Sequence, residues 1–107
     1  MAEVVVSAVF KRRYKLLAKK YRSLEQDLLE LIASLEEDPV QGTPLGKDCY
    51  EIRLAIRSKG AGKSGGARVI TYVRILKGKV YLLTIYDKSE QASLSQKELE
   101  ELLSGLT

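Results

Sequence analysis

Four cations and four glycines are concentrated in one short segment of the chain. The segment reads RSKGAGKSGGAR, and its cations are Arg57, Lys59, Lys63 and Arg68. Glycine permits the close approach of a backbone to a ligand, and arginine and lysine bind phosphate oxygens. The composition of this segment therefore predicts a binding site for a polyanion.

This segment connects two runs that are typical of β-strands. Before it, residues 50–56 alternate apolar and polar side chains at period two, and after it residues 69–73 are β-branched and aromatic. We therefore predict a β-hairpin whose long connection carries the cations. The polar face of the first strand would hold Glu51, Arg53 and Arg57.

Several other kinds of site are disfavoured by the residue types. The chain has no histidine and one cysteine, Cys49, so neither an ordinary zinc site nor a Cys/His nucleophile pair can be assembled. We expect Cys49 to be a buried packing residue. Gly62-Lys63-Ser64 resembles the end of a P-loop, but the first glycine of that motif would fall at Arg57, and a strand follows where a helix is needed. We expect neither a metal nor another cofactor.

Length and charge limit the class of protein. We expect one small domain, residues 1–107. The net charge of +4 comes from 18 lysines and arginines against 14 aspartates and glutamates, and the cations concentrate in residues 11–22 and 47–88. Such zoning is expected where one face binds nucleic acid, although residues 11–22 also fit a solvated helix face. No apolar run is long enough to cross a bilayer and no leader precedes the first strand, so we expect a cytoplasmic protein.

Helical periodicity predicts three helices. Apolar residues at helical spacing place one helix from Ala8 to Lys20 and another from about Leu24 to Glu37, and these form a helical hairpin. A short third helix is expected from Gln96 to Ser104. Two helix starts have the spacing of a capping box, Ser23 with Gln26 and Ser95 with Glu98.

Four strands complete a β-α-α-β-β-β-α order. Prolines and glycines predict a loop over residues 38–48. The strands are Val4–Val6, Cys49–Arg57, Ala67–Ile75 and Lys79–Tyr86. Arg68 and Arg74 share strand parity with apolar residues, so we expect only the strand ends to reach solvent. The fold class is therefore α+β, with a mostly antiparallel four-stranded sheet, a helical hairpin and a short C-terminal helix.

Four tyrosines lie on these strands among the cations, Tyr50, Tyr72, Tyr81 and Tyr86. Such an arrangement suits the stacking of single-stranded RNA bases. For Tyr72 and Tyr81, cross-strand packing is the favoured interpretation. Tyr86 stands at the end of the last strand, so we expect its hydroxyl to lie near the cationic face.

The motifs as a set resemble a known family. The run GTPLGKDCYEIRLAIRSKGAGKSGGARVITYV, followed by VYLLTIYDKSE and a leucine-rich helix, resembles the RelE/ParE superfamily of bacterial toxins, in particular its HigB-like branch. The resemblance covers nearly the whole domain and implies the toxin of a type II toxin–antitoxin pair. It implies an endoribonuclease that cleaves mRNA in the ribosomal A site by using the RNA 2′-hydroxyl and no metal. The implied partners are mRNA, rRNA and an antitoxin of the helix-turn-helix type.

The resemblance also implies which side chains act on RNA. The sheet cations of the family fall on Arg53 and Arg68, and the cation after the last strand falls on Lys88. With Lys63 and Tyr86 these residues form the predicted catalytic set. The predicted RNA contacts are Arg57, Lys59, Lys63 and Arg74.

Two departures from the family pattern leave the proton acceptor open. Glu51 stands where RelE has a lysine, and Leu94 is the nearest match to a C-terminal tyrosine. Lys59, Lys63, Glu51 and Tyr86 all remain candidates. Two alternative functions also stay open, a ParE-like inhibitor of DNA gyrase without nuclease chemistry and an inactive RNA-binding relative, because fold does not fix function.

Two further expectations concern order and control. The glycines predict a loop from Arg57 to Gly66 that packs weakly without RNA. The terminal helix is expected to attach through Leu99, Leu102 and Leu103 near the active face, where an antitoxin would cover or displace it. A plain packing helix without a role in control is the alternative.

Overall fold

The computed structural model describes residues 1–60 and 62–106 and contains one five-stranded sheet and three helices. Thr107, in the predicted domain, and Ala61, in the predicted loop, lie outside the described residues. The elements are β1 (Glu3–Val6), α1 (Ala8–Lys20), α2 (Leu24–Glu37), β2 (Thr43–Gly46), β3 (Cys49–Leu54), β4 (Ala67–Arg74), β5 (Lys79–Asp87) and α3 (Gln96–Ser104). Short 3-10 turns, Arg57–Lys59 and Ile75–Lys77, lie between β3 and β4 and between β4 and β5.

The strands follow the order β1-β5-β4-β3-β2, and every pair is antiparallel except β1 with β5. This confirms the predicted α+β class and mostly antiparallel sheet. The predicted number of strands is wrong, because β2 lies within residues 38–48, which were expected to be a loop. Pro44 in its sequence argues against a strand, but proline is tolerated in β2 because this strand lies at the edge of the sheet. The next strand is also shorter than predicted, since β3 ends at Leu54 and not at Arg57.

The sheet separates two apolar layers. The helical hairpin covers one face because the apolar residues of α1 and α2 recur on one side of each helix. Its largest fully buried side chains are Phe10, Leu24 and Leu35. On the other face, Leu99 of α3 packs with Ile70 and Leu83. Among the described residues, no helix has the length and apolar character needed to cross a membrane.

The two predicted capping boxes have different outcomes. At α3 the box is confirmed, since the Ser95 hydroxyl accepts from the Glu98 amide at 3.1 Å and Glu98 accepts from the Ser95 amide at 3.0 Å. The prediction for Ser23 with Gln26 is wrong. The Ser23 backbone is already helical, and its hydroxyl donates to Asp27 at 2.7 Å and accepts from the Ser58 amide at 2.9 Å. Ser23 therefore joins α2 to the turn after β3.

A bulge in β5 decides which side chains reach each face. Ile70 pairs with Thr84 and Thr71 pairs with Leu82, so Leu83 is an extra residue in β5. Beyond such a bulge the alternation of side chains is reversed. Residues 82 and 85 accordingly belong to the helix-side core, and residues 83 and 86 belong to the opposite layer.

The reversal directs Asp87 to the helix side, where its carboxylate is almost fully buried. It accepts hydrogen bonds from Tyr21 Oη at 2.6 Å, Lys59 Nζ at 2.7 Å, and the Ser89 amide and hydroxyl at 2.9 and 2.8 Å. Burial alone raises the pKa of this carboxyl, but the hydrogen bonds from Lys59, Tyr21 and Ser89 outweigh burial and lower the pKa well below its ordinary value. Asp87 therefore ties the end of α1 and the 3-10 turn Arg57–Lys59 to the end of β5.

We predict that Asp87→Asn lowers the free energy of unfolding by about 3 kcal/mol at pH 7, because it leaves the partly buried Lys59 ammonium without its counter-charge. The stability due to Asp87 is full above the ordinary carboxyl pKa and is lost as the pH falls below it, since protons then bind the unfolded chain more tightly. Urea unfolding at pH 7 and at pH 3 measures both effects, and the variant should lose less stability than wild type over this interval.

Lys20→Gln is the matched control. The Lys20–Glu90 pair spans 2.7 Å, as the Lys59–Asp87 pair does, but its side chains are more than half exposed. We expect its removal to leave the urea midpoint nearly unchanged. Equal unfolding free energies for Asp87→Asn and wild type at pH 7 would contradict the anchoring role of Asp87.

Candidate nucleic-acid interface

Three neighbouring strands bring four polar side chains together on the face opposite the helical hairpin. Arg53 of β3 stands across from Arg68 of β4, and Arg68 stands across from Tyr86 of β5. Glu51 lies two residues before Arg53 and so shares its face. We call Glu51, Arg53, Arg68 and Tyr86 the sheet cluster. Arg53 and Arg68, the two sheet cations that the resemblance implies, thus lie side by side on one face.

The environment of Arg68 differs from the predicted one. Its side chain is only 4% exposed, whereas a solvated strand end was expected. Its Nη1 donates to the carbonyls of Lys63 at 3.0 Å and Ala67 at 3.2 Å, and its Nη2 donates to the carbonyl of Ser64 at 3.2 Å. The turn that precedes β4 therefore folds back over the guanidinium, and this turn keeps the charge in a fixed position.

Glu51 lies between Arg68 and Tyr86. The Tyr86 hydroxyl donates to Glu51 Oε1 at 3.3 Å, and Arg68 Nε is 3.8 Å from Glu51 Oε2. Burial and the nearby Glu51 charge raise the pKa of Tyr86 to about 12, so its hydroxyl stays protonated at neutral pH. The Glu51 side chain is 25% exposed and is thus accessible to a ligand. The expectation that the Tyr86 hydroxyl lies near the cationic face is confirmed.

Arg53 and Lys63 form the open part of the site. Both side chains are exposed. Neither forms an ion pair with the part of the chain that the structure describes. Cross-strand neighbours of like charge repel each other, so Arg53 beside Arg68 leaves a local excess of positive charge. An anionic ligand would relieve it.

Arg57 and Lys59 are engaged elsewhere. Arg57 Nη1 donates to Glu30 at 2.9 Å, and the Arg57 amide donates to Asp27 at 3.2 Å. Lys59 is paired with Asp87 on the helix side and lies 5.5 Å from the Tyr21 ring centre. The structure does not bring these predicted RNA contacts into the sheet cluster. The 3-10 turn Arg57–Lys59 is held by these polar contacts but buries none of its residues, so its weak packing without RNA stays a prediction.

Gly66 shows why the cation-rich connection needs glycine at its end. A Cβ atom on Gly66 would lie 2.2 Å from the Leu54 carbonyl oxygen, and the Gly66 carbonyl accepts from the Lys88 amide at 3.0 Å. The close approach predicted from glycine is therefore made to the ends of β3 and β5. It also places Lys88 at the same end of the sheet as Arg68, with the Lys88 ammonium donating to the Ala92 carbonyl at 2.8 Å.

Arg74 does not belong to this cluster. It lies six residues after Arg68 on β4, about 20 Å away along a strand. The ring centres of Tyr72 and Tyr81 are 5.8 Å apart, which confirms their cross-strand packing. The prediction for Cys49 is also confirmed, since the residue is buried and burial raises the pKa of its thiol to about 11.

The terminal helix borders the sheet cluster. Leu99 is buried and Leu102 and Leu103 are half-buried on the same apolar layer as Tyr86, which confirms the predicted attachment. A cavity of about 330 Å³ between the start of α1 and α3 is lined by Tyr86, Leu94 and acidic residues of α3. Leu94, the counterpart of the family's C-terminal tyrosine, thus offers only an apolar surface there.

Sequence reasoning located Arg53, Arg68 and Tyr86, but it did not identify the contacts that hold them. Neither the bulge in β5 nor the folding of Lys63 and Ser64 over Arg68 has a local signature in the sequence. The strand alternation puts Glu51 on the same face as Arg53. Only its observed position between Arg68 and Tyr86 distinguishes it from the other candidate proton acceptors.

Comparison with known proteins agrees with the observed fold. A family model described as the RelE toxin of the RelE/RelB toxin–antitoxin system matches residues 7–104. Among solved structures, a double mutant of the E. coli toxin RelE in the free state shows 21% identity and a TM-score of 0.62, over 98% of this chain and 94% of that chain. The isolated E. coli RelE toxin shows 20% identity and a TM-score of 0.56, over 97% and 98%.

One chain of a toxin–antitoxin complex is also similar in fold. A chain of the intact E. coli RelBE complex shows 19% identity and a TM-score of 0.60, covering 81% of this chain and 96% of that chain. The structural matches support a RelE-like fold, and the family model extends over nearly all of the sequence. The protein therefore belongs to the RelE family of toxins of type II toxin–antitoxin systems.

Proposed function

We propose that this toxin inhibits translation as an endoribonuclease that cleaves mRNA in the ribosomal A site. The observation that carries the proposal is the sheet cluster, in which the Glu51 carboxylate lies within 4 Å of both Arg68 and Tyr86 beside the exposed Arg53. A base held beside fixed positive charge suits phosphodiester cleavage by an internal nucleophile. The proposed setting is the cytoplasm, and assignment to the HigB-like branch stays a prediction.

In this mechanism Glu51 accepts the proton of the 2′-hydroxyl. The 2′-oxygen attacks the neighbouring phosphorus, the bond from phosphorus to O5′ breaks, and O5′ leaves with a proton from Lys63 or water. Arg53, Arg68 and Lys63 stabilise the negative charge that develops on the phosphoryl oxygens. Of the four candidate acceptors, Lys59 is paired with Asp87 on the helix side and does not reach the sheet cluster. Tyr86 has a raised pKa, so its hydroxyl keeps its proton at neutral pH and does not act as the base.

The remaining predicted residues have secondary roles. Lys88 supplies positive charge at the end of the sheet, where its amide donates to the Gly66 carbonyl. Arg57 and Lys59 position the connection before Lys63 by their ion pairs with α2 and β5. Arg74 lies too far from Arg68 to contact the same phosphate.

The proposed protein partner is a cognate antitoxin. It would cover α3, whose outward acids Glu98, Glu100 and Glu101 are all exposed while its leucines contact the sheet. An antitoxin segment with its own acids and leucines could compete for these contacts and for the cationic cluster. The similarity to a chain of the E. coli RelBE toxin–antitoxin complex supports this class of partner.

We predict that Arg53→Ala and Arg68→Ala each slow growth arrest and reduce cleavage by about 10²–10³-fold, because each removes a charge from a preorganised site. The test is induction of the toxin with mapping of new mRNA 5′ ends, at equal soluble expression. Lys79→Gln is the control, since it removes the same charge at the far end of β5.

Wild-type arrest by both arginine variants would contradict the assignment of the site. Growth arrest by the wild-type toxin without new 5′ ends would contradict the nuclease and favour the gyrase inhibitor. No arrest by a soluble, folded wild-type toxin would favour the inactive RNA-binding relative.

Glu51→Gln should reduce single-turnover cleavage of mRNA on programmed ribosomes by about 10²–10⁴-fold, because an amide cannot accept the proton. Tyr86→Phe keeps the buried ring but removes the hydroxyl that orients Glu51, so we expect a smaller loss of about tenfold. Both proteins should still bind ribosomes. If Glu51→Gln cleaves at the wild-type rate, another group is the proton acceptor.

The covering of Arg68 leads to a prediction about motion. Contact of a phosphate with its guanidinium requires residues 62–66 to shift, because the carbonyls of Lys63 and Ser64 now occupy its donors. We expect hydrogen exchange of residues 62–66 to change when the toxin binds ribosomes, while the anchored residues 57–59 change little. Equal exchange of residues 62–66 in the free and bound toxin would show that Arg68 acts without direct contact.

A further inference from the structure

The connection between β4 and β5 carries two apolar side chains that face solvent. Ile75 is 71% exposed and Leu76 is fully exposed, and Arg74 and Lys77 stand on either side of them. Single apolar side chains are common on protein surfaces, but these two are adjacent in a 3-10 turn at the tip of a hairpin. We call Ile75 and Leu76 the apolar ridge.

Grooves lie on both sides of the apolar ridge. Ile75 and Met1, which is 95% exposed, line a groove of about 250 Å³ together with Pro39. Ile75 and Leu76 also line a second groove of about 300 Å³, with Tyr72 as one of its walls. Three of the largest exposed apolar side chains of the described residues are thus gathered in one area, which is typical of an interaction surface.

This surface is separate from the proposed cleavage site. Arg74, next to the apolar ridge, is about 20 Å from Arg68 along β4. An RNA phosphate held by Arg53 and Arg68 would therefore leave the ridge exposed. Catalysis gives no reason for two apolar side chains at this end of the sheet.

The same surface continues to α3. A third groove, of about 410 Å³, shares Tyr72 and Arg74 with the groove beside the ridge and ends at Leu103 and Leu106. A partner that covers the leucines of α3 can therefore reach Leu76 without leaving the toxin surface.

The chemistry of the surface selects the class of partner. Arg74 and Lys77 flank the ridge and form no ion pair with the described residues. Glu36 and Glu37 line the groove on the Met1 side, whereas the groove of Tyr72 and Arg74 has Asp48 as its acid, so the positive charge is concentrated on the Tyr72 side. A phosphate backbone could pair with these cations, but it offers no apolar pocket for Leu76. An acidic protein segment with an apolar pocket satisfies both kinds of side chain.

We propose that the apolar ridge and the adjoining groove of Tyr72 and Arg74 dock an acidic segment of the cognate antitoxin, which continues there from α3. The inference rests on the proposed function in naming an antitoxin as the partner. It assigns a second anchor, at the opposite end of the sheet from the cleavage site, to that partner.

The test compares two matched double variants against the protein encoded by the adjacent antitoxin reading frame. Ile75→Gln/Leu76→Gln alters the ridge, and Leu16→Gln/Leu29→Gln makes the same chemical change at exposed positions of α1 and α2. We expect the ridge variant to bind the antitoxin about 30-fold more weakly, mainly through faster dissociation. The control should bind as wild type does, and both variants should arrest growth normally when no antitoxin is present.

Arg74→Gln/Lys77→Gln tests the charge separately. We expect a loss of affinity of about tenfold at low salt that becomes smaller as the salt concentration rises. Circular dichroism and thermal melting establish that each variant is folded, so a change in affinity reports on the surface.

Three results would overturn the proposal. Unchanged antitoxin affinity of the ridge variant would show that the antitoxin does not use the ridge. Reduced growth arrest with unchanged antitoxin affinity would assign the ridge to the ribosome, and a concentration-dependent dimer abolished by the ridge variant would assign it to a second copy. Affinity is measured on purified proteins, so its loss remains interpretable even if no mRNA cleavage is found.

Discussion

Asp87 is buried at the end of β5, where a carboxylate is stable in its charged form only when donors surround it. Lys59, Tyr21 and Ser89 provide those donors, so one side chain joins the connection after β3, the end of α1 and the turn after β5. The bulge in β5 makes this contact possible. Because it reverses the alternation of side chains, Asp87 points to the helices while Tyr86 points to Glu51. Two adjacent residues of β5 therefore have different tasks: Asp87 anchors the connection after β3, and Tyr86 orients the proposed base Glu51.

The electrostatics of the sheet cluster favour ligand binding over stability. Arg53 and Arg68 are cross-strand neighbours with like charge, and Glu51 is the carboxylate beside them. The carbonyls of Lys63 and Ser64 partly offset the buried charge of Arg68 and fix its position. A phosphate can contact this guanidinium only after residues 62–66 move away from it. Repulsion between Arg53 and Arg68 in the free protein therefore favours the binding of a polyanion. Asp87, on the opposite face, fixes the end of β5, the strand that pairs with Arg68.

Local patterns were sufficient for much of the fold. The bounds of α1 and α3 follow from apolar spacing and, for α3, from the Ser95 box, and strand alternation placed Arg53 on the polar face. The edge strand β2 could not be predicted, because it contains Pro44 and its pairing with β3 is a tertiary contact. Arg57 and Lys59 were assigned to RNA because a sequence does not show that Glu30 and Asp87 lie beside them. The proposed activity came from the family resemblance, whereas the choice of Glu51 required the positions of Arg68 and Tyr86.

The two ends of the sheet offer different kinds of binding energy. A cationic cluster attracts any polyanion, and that attraction weakens with salt. An inhibitor that used charge alone would compete poorly with ribosomal RNA, because RNA presents the same phosphate charge in far greater amount. Burial of Ile75 and Leu76 contributes a term that salt does not screen and that phosphates cannot supply. A partner anchored at the apolar ridge and along α3 thereby gains selectivity over RNA, and it can hold acidic side chains against Arg53 at an effective concentration that free anions do not reach.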